Sequence, residues 1–218
     1  MAAHGCTRRV LRVLVVSLLA LGLTADAWAW SSGGRGGWDS DEGDRLKERH
    51  RERVTKEADK YQEALKAVKQ EEEQAVTLLR QGEQKVKAGA RSDEVKTKRS
   101  LRLVRHKGIK NFQKVDFKCG RLFAGIQKFK ADEGDYFTDA TKGKVEILLV
   151  QVKDLARTNR ERIADLYVEV EEPIKALKVL EGIYKSLPAN ERVSAMDLKA
   201  RIKALKAQLG IKDDAGAL

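Results

Sequence analysis

No proline occurs before Pro173 in this 218-residue chain, and only Pro173 and Pro188 occur at all. Nothing in the first 172 positions therefore forbids long uninterrupted helices. The stretch from Asp44 uses that freedom. Segment 44–88 is rich in Glu, Lys, Arg, Gln and Ala, which are strong helix formers. Val54, Ala58, Tyr61, Leu65, Val68, Ala75, Leu79 and Val86 fall three or four residues apart, a heptad-like seam interrupted by Glu72 and Gly82. Gly89 is placed to stop that helix.

Ser92 supplies an N-cap for a second helix, with Asp93 and Glu94 in its first turn, where the helix dipole favours acids. Its stripe is Leu101, Val104, Gly108, Phe112, Val115, Cys119, Leu122, Ile126 and Phe129. The three-four spacing, with no period of two, predicts a helix over about 92–131. The stretch from Ala131 to Asp135 reads as a break, and Thr138 or Asp139 caps a third helix. That helix carries Val145, Leu148, Leu149, Val152, Leu155, Ala156, Asn159, Ile163, Leu166, Tyr167 and Val170. Pro173 suits the first turn of a helix over 173–186. Leu187-Pro188 breaks again, and a last helix is expected over about 190–209, ending at Gly210. Short turns between long helices imply antiparallel neighbours. The expected fold is all-α: a long antiparallel helical hairpin or three-helix coil over 44–156, then a helical end over 157–210 with a capping helix, and a tail over 211–218.

The chain before Asp44 has a different character. Arg8, Arg9 and Arg12 precede Val13–Leu23, an apolar run of eleven residues, and Ala27-Trp28-Ala29 is a small-x-small site. Residues 1–29 read as a signal peptide cleaved after Ala29, which addresses the chain to the periplasm or the extracellular space. A retained anchor needs about 20 apolar residues, roughly twice this run. Thr7-Arg8-Arg9-Val10-Leu11 also fits a twin-arginine signal, so the export route stays open. Residues 30–43, with five glycines, read as a flexible linker in which Trp38 is the one large apolar residue after Trp30. Cys6 leaves with the signal and Cys119 remains alone. An internal disulfide is therefore excluded, and Cys119 reads as a small buried thiol on the second helix stripe.

Charge is local. The 44 Lys and Arg against 33 Asp and Glu give +11, and loss of three arginines and one aspartate with residues 1–29 leaves +9. Segment 91–131 alone holds 13 basic residues against Asp93, Glu94 and Asp116. Arg99, Arg102, His106, Lys110, Lys114 and Arg121 lie away from the apolar stripe, and Lys128 continues them. They make a basic face about 30 Å long. Such a face suits an anionic surface or polymer, lipid headgroups or an envelope polymer among them; a solvated face balanced by Glu71, Glu72 and Glu73 is the other reading. Nucleic acid is the weakest fit for an exported chain.

Residues 157–190 resemble a single tetratricopeptide repeat, a helix pair with small and bulky residues at fixed places. Ile163, Ala164 and Tyr167 lie on its first helix, Ala176 and Leu180 on its second, and Pro188 closes it. Arg160 stands where the pattern has Trp, Ala164 replaces Gly and Leu180 replaces Phe. The resemblance implies a protein-binding groove and hence a protein partner, so the first functional expectation is a non-catalytic interaction or scaffold protein. Peripheral binding of an anionic surface by helix 91–131 is the alternative, and a coiled-coil homo-oligomer a third reading.

Catalytic patterns are absent. The histidines after residue 29 are His50 and His106, on different helices, and no HExxH, CxxC, GxSxG or P-loop sequence occurs. The expectation is no enzyme, no catalytic residues, no metal and no cofactor.

Overall fold

The computed structural model describes residues 40–89 and 94–211. The expected signal peptide, most of the expected linker, the expected Ser92 cap and the tail beyond Ile211 lie outside the described residues. Contacts divide the chain into two units, Met1–Glu42 and Gly43–Leu218, and the helical body is the second.

Six α-helices and one 3₁₀ turn make up the described residues: α1 Ser40–Ala88, α2 Glu94–Glu133, the 3₁₀ turn Gly134–Tyr136, α3 Asp139–Glu169, α4 Pro173–Ser186, α5 Ala189–Ser194 and α6 Met196–Gln208. No strand occurs among them, and the all-α class stands. Three boundaries differ from expectation. The last four linker residues, 40–43, are already helical, and Glu42 and Asp44 lie near an N-terminus that favours carboxylates. α2 runs two residues past its expected end, into the expected break, and is followed by the 3₁₀ turn. The expected single helix over 190–209 is two helices, broken at Ala195, whose ψ of 50° departs from helical geometry.

The first three helices form an antiparallel three-helix coil. Register is fixed by contacts along its length. Glu71 of α1 meets Lys118 of α2 at 2.5 Å, and Glu83 meets Arg105 at 2.9 Å. Asp116 of α2 meets Arg160 of α3 at 2.8 Å. Asp59 of α1 pairs with Lys144 of α3. α1 and α3 are thus parallel, with α2 antiparallel to both. Val54, Ala58, Leu65 and Val68 of α1 share one core with Val115, Cys119, Ile126 and Phe129 of α2 and with Val145, Leu148, Val152 and Leu155 of α3. The apolar stripes read from the sequence are the faces that meet.

The two interruptions in the α1 seam have structural uses. A Cβ on Gly82 would stand 2.7 Å from Cγ1 of Val104, so glycine lets α1 and α2 approach there. Glu72 is half-buried and paired with Arg162 of α3, whose guanidinium lies 5.8 Å from the Phe112 ring centre. One turn away, Asn159 is fully buried and donates to the Leu155 carbonyl at 2.8 Å, while its own side-chain oxygen has no partner among the described residues. The coil thus carries a polar layer at mid-length.

Caps explain the turns. The Thr138 hydroxyl accepts from the Thr141 amide at 3.2 Å and starts α3. α3 ends in a Schellman motif: Glu172 N–H donates to the Tyr167 carbonyl at 2.8 Å and Glu171 N–H to that of Val168 at 3.0 Å. Glu171 takes the left-handed conformation, φ 63°, where glycine is usual, and Pro173 then opens α4. At the C-terminal end, Ala164, Ala176, Leu177, Leu180, Ile183 and Tyr184 pack with Leu198, Ile202 and Leu205 of α6.

Candidate polyanion-binding face

α2 has a second stripe, across the helix from its apolar one. Lys96, Arg99, Leu103, Lys107, Lys110, Lys114, Phe117, Arg121, Gly125 and Lys128 follow one another at intervals of three or four. At 3.6 residues per turn they occupy an arc of about 80°. Between Lys96 and Lys128 that arc contains no carboxylate. Arg99, Lys107, Lys110, Lys114, Arg121 and Lys128 are all exposed, and none has an ion-pair partner among the described residues. From Arg99 to Lys128 the file rises about 44 Å.

The carboxylates of neighbouring elements are taken up on the flanks of α2. Lys118 holds Glu71 of α1. Arg105 holds Glu83 of α1 and also Glu169 of α3, at 2.9 and 2.8 Å, and Lys130 holds Glu146 of α3. At the α3–α4 turn Glu172 lies 3.9 Å from Arg102 and 3.8 Å from His106. The Glu172 carboxyl is held below its ordinary 4.5, first by the hydrogen bond from Lys175 and then by the charges of Lys175, His106 and Arg102, with desolvation opposing. Of the three glutamates expected to balance the basic face, Glu71 takes Lys118 on the flank and Glu72 turns to Arg162 of α3, so neither meets the outward file. The file ends near carboxylates, since Lys128 shares a shallow depression with Glu57, Asp132 and Glu133. There Glu133 pairs with His50 through one carboxylate oxygen at 2.8 Å and accepts from Arg53 through the other at 3.3 Å.

Of the face expected from the sequence, Arg99, Lys110, Lys114, Arg121 and Lys128 stand together. Arg102 and His106 belong instead to the shoulder around Glu172. Lys107, Leu103 and Phe117 complete the file, and the three-four spacing opposite the apolar stripe is the signal that carries them.

At the C-terminal end Ile163, Ala164, Ala176 and Leu180 are buried, Tyr167 is half-buried and Pro188 is exposed at the start of α5. The Tyr167 hydroxyl accepts from the Gln113 amide at 3.2 Å, and Lys175 lies 5.6 Å from its ring centre. Beside this end, a groove of about 430 Å³ is floored by Cys119, Phe123, Ala156, Ile183 and Leu187 and rimmed by Lys153, Asp154, Arg157 and Glu191. Burial, joined by the Asp116 carboxylate, pushes the Cys119 thiol up to about 11, so it stays protonated at neutral pH and is a poor nucleophile.

Among the described residues no cluster of three His, Cys, Asp or Glu side chains is arranged to hold a metal ion, and no helix is long and apolar enough to cross a membrane. No family model, curated protein or solved structure matches the chain. What defines it is its own architecture: an all-α protein in which an antiparallel three-helix coil presents one basic helix face and carries a smaller helical end.

Proposed function

We propose that this is an exported, non-catalytic helical protein that lies against an extended polyanionic surface and does so with the outward file of α2. The observation that carries the reading is the set of six α2 cations left without ion-pair partners among the described residues, on the helix whose flanking cations are paired. Each Lys or Arg near an anionic surface contributes about 1 kcal/mol, so six give about 6 kcal/mol, a dissociation constant of tens of micromolar. The coil holds the cations in one line, so little ordering is needed on contact.

The test is sedimentation with anionic vesicles and retention on immobilised polyphosphate. The chain from Trp30 onward is used, because the apolar run 13–23 would bind lipid by itself. Binding is expected to weaken steeply between 50 and 500 mM salt. The variant Lys110→Glu/Lys114→Glu/Arg121→Glu is expected to lose about 100-fold or more in affinity. Salt-independent binding, or full binding by the triple variant, defeats the reading.

A second reading keeps the C-terminal end as the docking element for a protein partner. What favours it is the apolar-floored groove between α2, α3 and the end of α4, next to the helix pair that resembles a tetratricopeptide repeat.

A further inference from the structure

Leu103 and Phe117 are the unexplained members of the outward file. They are 59% and 66% exposed, and neither joins a core cluster. Fourteen residues, or two heptads, separate them, which places them on one line about 21 Å apart. Arg99 and Lys107 bracket Leu103 at four residues on either side, and Lys114 and Arg121 bracket Phe117. A soluble polyanion would satisfy those cations and give the two apolar side chains nothing. A bilayer surface offers both halves at the right depth: phosphates at the level of the ammonium and guanidinium groups, and the edge of the acyl region a few ångströms below. Lys and Arg reach back to the headgroups along their apolar stems, so the cations and the apolar pair act together.

We infer that the surface recognised by α2 is an anionic phospholipid bilayer, with Leu103 and Phe117 entering the boundary between headgroups and acyl chains while the flanking cations hold the phosphates. The inference rests on the polyanion-binding reading and adds the occupant. α2 is braced by α1 and α3 along its length, so the two side chains are presented by a helix already folded before contact.

The experiment uses the chain from Trp30 onward with two probes: vesicles of phosphatidylglycerol and phosphatidylcholine in equal parts, and soluble polyphosphate. Leu103→Ser/Phe117→Ser is expected to lower vesicle affinity about tenfold or more, through lost burial of apolar surface. Its polyphosphate affinity and its melting temperature stay unchanged, because both side chains are exposed in the fold. Lys110→Glu/Lys114→Glu is expected to lower both affinities. Undiminished vesicle binding by the serine variant overturns the insertion. Wild-type binding to polyphosphate without binding to vesicles overturns the bilayer and leaves the polyanion reading standing. Binding to neither removes both.

Discussion

The two long faces of α2 have the same spacing and opposite chemistry. Inward, Phe112, Val115, Cys119 and Ile126 are all but excluded from solvent. Outward, Lys110, Lys114, Phe117 and Arg121 stand free at the same intervals. The spacing comes from the helix and cannot tell the faces apart. What separates them is where each group's compensation lies. The inward residues are stabilised by leaving water, the flank cations by carboxylates on α1, α3 and the α3–α4 turn, whereas the six outward cations from Arg99 to Lys128 have no ion pair among the described residues. A face that folding leaves uncompensated is available for contact.

The largest expected effect tests the inward face. Phe112→Ala removes a fully buried ring at the junction of α1, α2 and α3 and is expected to cost about 3–5 kcal/mol. Chemical denaturation measures it, and a loss under 1 kcal/mol would mean the inward stripe is not the core it is taken for. The flank comes next. The Glu172 carboxyl titrates below 4.5 in the fold and near 4.5 in the unfolded chain. The unfolded state then binds more protons as the pH falls through 4.5, so this stabilisation is complete above that value and fades below it. The gap in melting temperature between wild type and Glu172→Gln is expected to be widest at neutral pH and to close as the pH drops below 4.5. A gap constant down to pH 3 contradicts the pairing. The smallest effect falls on the outward face and has the opposite sign. Lys110→Glu places a carboxylate three residues from Lys107 and four from Lys114, which should stabilise the fold by about 0.5 kcal/mol while weakening anion binding. If stability and binding fall together, the outward file is structural and the contrast between the faces collapses.

The inward faces were legible in the sequence because burial enforces a three-four period over eight or more positions. The division of α2 cations between flank and outward file was not. It depends on which α1 and α3 carboxylates come opposite, and so on interhelical register. Arg102 shows this: its wheel position suits the basic face, yet Glu172 at the α3–α4 turn draws it to the shoulder. Leu103 and Phe117 escaped for a simpler reason. Apolar residues were sought where they build a core, and these two lie on the other side. The break at Ala195 has no glycine or proline to announce it. The early start of α1 was hidden because Ser40–Gly43 shares the composition of the linker before it.

The polar layer of Glu72, Arg162 and Asn159 works like the notch of a key. The α1 seam keeps its heptad phase from Val54 to Val86, so apolar packing alone would accept α1 shifted by one heptad. Such a shift would bring Leu65 or Leu79 to the Arg162 guanidinium in place of Glu72 and leave that charge without its counterpart. Deleting seven residues from α1 would keep every heptad in phase and still spoil the alignment. How far along the coil α2 is held follows from this alignment through the pairs that join it to both neighbours, Lys118 to Glu71 and Asp116 to Arg160, and with it where the six outward cations stand.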